Sequence, residues 1–191
     1  MIVPLPQPPD ELDELTLARA RRREDAACRA LVLRYQRPVF ALLSRLLANQ
    51  GRAALVEDLA QETFLRAFRA LPEFDTAGPA RLSTWLLTIA TRLALDELKT
   101  RRPQHEALEQ ADAVVSLDRS DTLTQRRQTV EKIARAVEAL TPDQRAAFLL
   151  REAHGLSYED VAAALQVDLG TLKSRLSRAR AALRIALEEL R

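Results

Sequence analysis

Glycine is scarce in this chain, with 4 residues in 191, and aromatic side chains make up only 4% of it. So little glycine leaves no room for the glycine-rich loops that cradle nucleotide phosphates. Cysteine occurs once, at Cys28, which excludes an internal disulfide and any cysteine-rich zinc cluster. The 2 histidines, His105 and His154, have no carboxylate or cysteine at ligand spacing, so no metal site is expected. No apolar run approaches the ~20 residues that a membrane span needs. No signal-peptide pattern opens the chain. Serine, histidine and aspartate occur, but nothing sets a nucleophile beside a base. These gaps argue against an enzyme, a cofactor, membrane insertion and a disulfide scaffold. The cytoplasm is the expected compartment.

What the chain has in quantity is alanine, leucine, arginine and glutamate, all good helix formers. No strand-like alternation occurs, so the expected fold is all-α. Net charge is only +2, but the charge is segregated. Residues 170–184 hold Lys173, Arg175, Arg178, Arg180 and Arg184 against no acid. Residues 104–125 hold Glu106, Glu109, Asp112, Asp118 and Asp121 against Arg119 alone, a net −4. Local sign, more than net sign, selects partners here.

Four parts follow. Residues 1–11, with Pro4, Pro6, Pro8 and Pro9, read as a disordered lead. Residues 12–102 form a first helical domain, with helical pattern over Leu12–Arg22, Asp25–Asn49 (bent at Pro38), Leu55–Leu71 and Ser83–Arg101. Residues 103–125 are polar and acidic and read as a flexible linker, able to span up to roughly 80 Å when extended. Residues 126–191 form a second small domain, whose Thr141-Pro142-Asp143-Gln144 is a helix start with proline in first place.

Within that second domain, Gly155-Leu156-Ser157-Tyr158-Glu159-Asp160 opens a short helix, with Ser157 and Asp160 spaced as a capping box. Val161, Ala162 and Leu165 give it an apolar stripe, and Gln166-Val167-Asp168 is a tight turn. From Leu169 onward, Leu172, Leu176, Ala179, Leu183 and Leu187 fall on one side at about 100° per residue. Lys173, Ser174, Ser177 and Arg178 lie opposite, flanked by Thr171, Arg175, Arg180 and Arg184. A helix that buries one side and offers short polar and cationic groups on the other suits the DNA major groove. The pattern is that of a helix-turn-helix.

The first domain holds two further faces. Along 56–71, Val56, Ala60, Phe64, Ala67 and Leu71 point one way and should be core. Asp58, Gln61, Glu62, Leu65 and Arg69 point the other way, either as a solvated face or as a docking surface for another helix. After a loop containing Phe74, Asp75, Gly78, Pro79 and Arg81, the last helix sets Leu86, Leu87, Ala90, Ala94 and Leu98 inward. Trp85, Thr88, Arg92, Asp96 and Lys99 line a different side. Tryptophan there is open to two readings, as packing or as a stacking platform for unpaired bases beside cations.

Three motifs in order carry a resemblance. They are Asp58-Leu59-Ala60-Gln61-Glu62-Thr63-Phe64, then Ser83-Thr84-Trp85-Leu86 with Ile89-Ala90, then Gly155-Leu156-Ser157-Tyr158 with Gly170-Thr171-Leu172-Lys173-Ser174-Arg175. From Leu15 to Leu187 the chain resembles the extracytoplasmic-function (ECF) sigma factors, two-domain specificity subunits of bacterial RNA polymerase. The resemblance implies that 12–102 is sigma region 2 and 126–191 is region 4. It implies that Asp58, Gln61, Glu62, Leu65 and Arg69 dock on the β′ clamp helices of core polymerase, and that the β flap is a further partner surface of the protein. It assigns Phe74, Asp75, Arg81, Trp85, Thr88, Arg92, Asp96 and Lys99 to opening the −10 promoter element and capturing a flipped base. Thr171, Lys173, Ser174, Arg175, Ser177, Arg178 and Arg180 are assigned to the −35 element. The acidic linker would thread toward the active site and RNA exit path, and an anti-sigma factor would hold the protein inactive.

The chain departs from the family at three places. Arg92 stands where relatives often carry asparagine, and a guanidinium cannot accept hydrogen bonds, which favours strand backbone over base edge. Gln166 occupies a turn position where glycine is common, and Ser177 is small where some relatives place a large residue. The main alternative is a free-standing helix-turn-helix regulator that binds an operator as a dimer. That reading leaves the acidic linker and the Asp58–Arg69 face without a role. A helical adaptor that binds only protein fails to explain residues 170–184.

Overall fold

A computed structural model describes residues 11–48, 53–78, 80–100 and 131–188, and the regular structure among them is helical throughout. The expected linker, 103–125, lies outside the described residues, as do residues 1–10 of the expected lead. Glu11, placed in that lead, is instead tied to the fold. Its carboxylate accepts from the Ser83 hydroxyl at 2.6 Å and from the Tyr35 hydroxyl at 3.2 Å.

Helix α1 (Glu14–Arg21) starts at Asp13, whose side chain accepts the Thr16 N–H at 2.8 Å. Helix α2 (Asp25–Leu46) runs on through Pro38 for about two further turns, so the expected bend does not end it. Proline removes a single N–H donor, and Pro38 sits between buried Tyr35 and Leu42, which hold the helix on both sides. Helices α3 (Ala53–Ala70) and α4 (Leu82–Thr100) complete a bundle in which α2, α3 and α4 pack on one another. Leu31, Leu42, Leu43, Leu46, Leu71 and Leu86 fill its centre, fully buried. Each such side chain contributes about 1.5–3 kcal/mol. Tyr35 is equally buried, and its hydroxyl accepts the Leu12 N–H at 3.0 Å, so the phenol brings its own polar partners into the core.

The second domain comprises α5 (residues 131–138), α6 (Pro142–Phe148), α7 (Tyr158–Leu165) and α8 (Leu169–Glu188). The reciprocal capping box falls at Thr141 and Gln144. At Ser157 only half of one forms. Ser157 Oγ accepts the Asp160 N–H at 3.0 Å, while the Asp160 carboxylate accepts a hydrogen bond from the Ser157 hydroxyl at 2.7 Å rather than from a backbone N–H. Past Phe148 the chain widens into a π turn, Leu149–Ala153, and Gly155 then takes a left-handed φ of 70° that turns it into α7.

Gln166 also adopts a left-handed conformation, at φ 55°. The Gln166 N–H reaches Ala163 O at 3.3 Å and the Val167 N–H reaches Ala162 O at 3.0 Å, which closes α7 in the double-bonded manner usual for a glycine. Leu172, Leu176, Ala179 and Leu183 then bury the inner side of α8 against α6 and α7, as their spacing predicts.

The two domains are not apart. Helix α4 packs on α7 and α6, and α2 touches α6. His154, at the end of the π turn, is 3% exposed and faces Tyr35, Pro38, Val39, Ser83, Leu86 and Leu87 of the first domain. No periodicity could announce this. The groups that join the domains read in sequence as ordinary surface polar residues.

Candidate nucleic-acid interface

Helix α8 begins at Asp168, whose carboxylate accepts the Thr171 N–H at 2.8 Å and the Thr171 hydroxyl at 2.7 Å. Those two hydrogen bonds hold the Asp168 carboxyl below its ordinary range. They also commit the Thr171 hydroxyl to the cap, whereas the sequence placed it against DNA. Lys173, Ser174, Ser177 and Arg178 are exposed, on the side opposite buried Leu172, Leu176 and Ala179. A cleft of about 680 Å³ opens between the starts of α6 and α8, lined by Thr141, Gln144, Thr171, Ser174, Arg175 and Arg178.

The flanking cations are tied down. Arg175 pairs with Asp143 at 3.1 Å, and Arg180 pairs with Glu152 at 2.5 Å while also reaching the Tyr158 hydroxyl at 3.5 Å. Arg151 lies over the Tyr158 ring at 4.7 Å and donates to Leu156 O at 2.6 Å. The hydrogen bond from Arg180, and then its charge, pull the Tyr158 hydroxyl below its ordinary value. From sequence, Asp143 and Tyr158 were read only as parts of helix starts, and Glu152 and Arg151 were not singled out. Their partners lie 32 and 28 residues away for the two ion pairs, beyond any local signal.

On α3, Ala60, Phe64 and Ala67 are buried as expected, while Asp58, Gln61, Leu65 and Arg69 are exposed. Glu62 is half-buried and pairs with Arg66, one turn on, at 2.7 Å. Leu65, a large apolar group, stands 51% exposed amid these charges. Leu33 and Phe40, exposed on α2, had no counterpart in the sequence reading.

The residues assigned to an opened strand gather at the start of α4. Phe74 and Trp85 lie ring against ring, 4.9 Å apart and tilted by 39°. Arg21 holds the loop by donating to Phe74 O, and Asp75 accepts the Ala77 N–H at 2.9 Å. Arg81 approaches Glu11 at 3.4 Å, and the Thr88 hydroxyl donates back to Thr84 O at 2.9 Å. Further along, Asp96 and Lys99 pair at 3.7 Å. Arg92 leaves that line altogether. Its Nε donates to Ala164 O at 3.1 Å and its terminal nitrogen to Ala163 O at 2.9 Å, both at the end of α7.

Among the described residues no helix is long and apolar enough to cross a membrane. Comparison with known proteins gives a consistent result. Residues 31–104 match the Sigma-70 region 2 family and residues 130–183 match the Sigma-70, region 4 family. The chain is 34% identical over 190 residues to the RNA polymerase sigma-H factor of Pseudomonas aeruginosa, covering 94% of this chain and 96% of that protein. It is 34% identical over 181 residues to the ECF RNA polymerase sigma-E factor of Escherichia coli, covering 90% and 92%. Among solved structures it is similar to CnrH in complex with the cytosolic domain of CnrY, with a TM-score of 0.63 at 25% identity over 93% and 97% of the chains. It is also similar to the sigma factor RpoE in complex with the anti-sigma factor NepR from Bartonella quintana, with a TM-score of 0.61 at 27% identity over 84% and 96%.

Proposed function

This chain belongs to the ECF sigma factors of bacterial RNA polymerase, and on that premise we propose how its surfaces divide the work of transcription initiation. The family's role is to bind core polymerase and direct it to particular promoters. With region 2 and region 4 matched in order, the dimeric operator-binding alternative loses its ground.

The exposed face of α3, through Asp58, Gln61, Glu62, Leu65 and Arg69, docks on the β′ clamp helices. Region 4 lies against the β flap and turns α8 into the major groove of the −35 element. Lys173, Ser174, Ser177 and Arg178 meet base edges there, while Arg175 and Arg180 meet phosphates. The start of α4, with Phe74, Asp75, Arg81, Trp85 and Thr88, opens the −10 element and holds an unstacked base. Arg92, Asp96 and Lys99 follow the strand. The protein acts in the cytoplasm, where the polymerase is. An anti-sigma factor restrains it, by analogy with the complex of RpoE and NepR.

The observation that carries this reading is α8, whose buried leucine side and exposed Lys173, Ser174, Ser177 and Arg178 side share one rigid element. Transcription in vitro with core polymerase on a promoter library tests it. Specific transcripts should appear only when both proteins are present, and the free chain should bind the same promoters weakly. Tight, sequence-specific duplex binding by the free chain, unchanged by polymerase, would overturn it.

A further inference from the structure

The loop that the proposed function assigns to base capture is held at both ends by one short stretch of chain. It leaves the turn Leu71–Glu73 at Phe74 and enters α4 at Leu82. At its first end Arg21, the last residue of α1, donates to Phe74 O. At its second end stands Glu11, just before α1. One carboxylate oxygen of Glu11 accepts the Ser83 hydroxyl at 2.6 Å and the Ser83 N–H at 3.4 Å, and meets Arg81 Nε at 3.4 Å. The other oxygen accepts the hydroxyl of fully buried Tyr35 at 3.2 Å, which ties Glu11 to the core.

Helix α1 sets the distance between these two holds. Its 8 residues make a rod of about 12 Å, capped by Asp13 and seated on the bundle through buried Leu17 and Ala20. Glu11 also supplies an anion at the start of α4, where free N–H groups and the helix dipole favour one. Arg21 Nε is shut off from solvent, so this guanidinium is built into the fold instead of reaching outward.

The held loop carries half of an aromatic pair. Phe74 sits at its first residue, and Trp85 lies in the first turn of α4 beyond its second end. Stacked bases lie about 3.4 Å from their neighbours, so a base held between two rings needs a gap of about 7 Å. With centroids 4.9 Å apart, Phe74 and Trp85 leave no such gap. They offer a base one joined outer surface, which exists only while the loop keeps Phe74 against Trp85.

We propose that Glu11 and Arg21 are positioning residues for the −10 element: with α1 as spacer, they clamp the loop so that the Phe74–Trp85 surface is formed before DNA arrives. The proposal rests on the reading of Phe74 and Trp85 given above. A surface formed in advance spares the opened strand the cost of ordering the loop.

Trp85 is the 1 tryptophan of the chain, so its emission reports the clamp directly in the free full chain. Arg21→Ala and Glu11→Ala should shift Trp85 emission to the red and raise its quenching by acrylamide toward the level of Phe74→Ala. Arg21→Lys and Glu11→Gln, which keep a donor and an acceptor, should stay close to the unmodified chain. Measurement well below the melting temperature, with helical circular dichroism unchanged, separates a released loop from a weakened fold. If Glu11→Ala loses helicity, Arg21→Ala decides alone. In holoenzyme, both alanine variants should bind a fork-junction promoter with an unpaired −10 strand about tenfold more weakly, the size of one charge-assisted hydrogen bond. Unchanged Trp85 quenching in Arg21→Ala would overturn the clamp and leave the reading of α4 standing. Unchanged fork binding in Trp85→Ala would overturn that reading and the clamp's role with it.

Discussion

Lys173, Arg175, Arg178 and Arg180 are alike in sequence, four cations on one helix, yet the fold separates them. Asp143 and Glu152 claim Arg175 and Arg180, while no carboxylate comes within ion-pairing distance of Arg178 among the described residues. Partly exposed ion pairs contribute about 0–1 kcal/mol, so the pairs aim these side chains without immobilising them. Replacing Arg178 with alanine should cost about 1–3 kcal/mol of discrimination at one or two base pairs of the −35 element. Arg180→Ala should weaken all promoters about equally and flatten the salt dependence. A panel of −35 variants, transcribed by each mutant holoenzyme at two salt concentrations, checks both, and the reverse pattern would exchange the two roles. Gln166 gives a second test at this scale. A non-glycine residue in the left-handed region costs roughly 1–2 kcal/mol, and glycine returns part of that as unfolded-state entropy. Gln166→Gly should therefore raise stability by up to about 1 kcal/mol, read as a higher melting temperature. The turn was legible from Gln166-Val167-Asp168, whereas the ion pairs were not, because nothing local marks a partner 32 residues away.

Helix α3 shows what an amphipathic pattern reveals and where it stops. The inward line through Ala60, Phe64, Ala67 and Leu71 is buried as spacing predicts, since burial on one side is what a 3.6-residue period encodes. What the outer face meets is not encoded in that way. Charge reversal at Asp58, which is exposed, should weaken core binding and leave the fold intact. Glu62 pairs with Arg66, so Glu62→Lys should weaken core binding and also lose a few tenths of a kcal/mol of helix stability. Phe64→Asp should unfold the first domain, because it puts an unpaired charge where 8% of the side chain reaches water. Circular dichroism beside a core-binding assay separates these outcomes, and loss of fold in Asp58→Lys would show the faces to be misassigned. Helices α4 and α8 follow the same rule on their inner sides. On α4 the rule falls short at Thr91, which is fully buried although the expected inward line omits it. Its hydroxyl donates to Leu87 O at 2.7 Å, so the polar atom is satisfied inside the helix.

At the scale of the whole molecule, the sequence marks two domains but gives no sign that they meet. His154 makes that contact measurable. Burial, and then the Arg45 charge, push its imidazole down to about 4, against 6.5 for the free side chain. A depressed histidine is neutral in the docked state, so the separated state binds the extra proton. Docking is then at full strength above about pH 6.5, weakens as pH falls below it and stops weakening below about 4. The full effect is on the order of 3 kcal/mol. The other groups facing the site do not mimic this behaviour. Arg45 stays charged, and the Tyr35 hydroxyl, pushed up to about 12 by burial, stays neutral. Glu11, bonded to Tyr35 and Ser83, is a carboxylate on that side, and a variant that keeps it while losing the imidazole separates the two. Energy transfer between dyes on the two domains of the free chain, followed from about pH 7.5 to about 5, should fall in the unmodified protein. In His154→Gln, which keeps the size and loses the titration, it should stay level. Parallel loss in both would assign the acid response to carboxylates and leave His154 as packing alone.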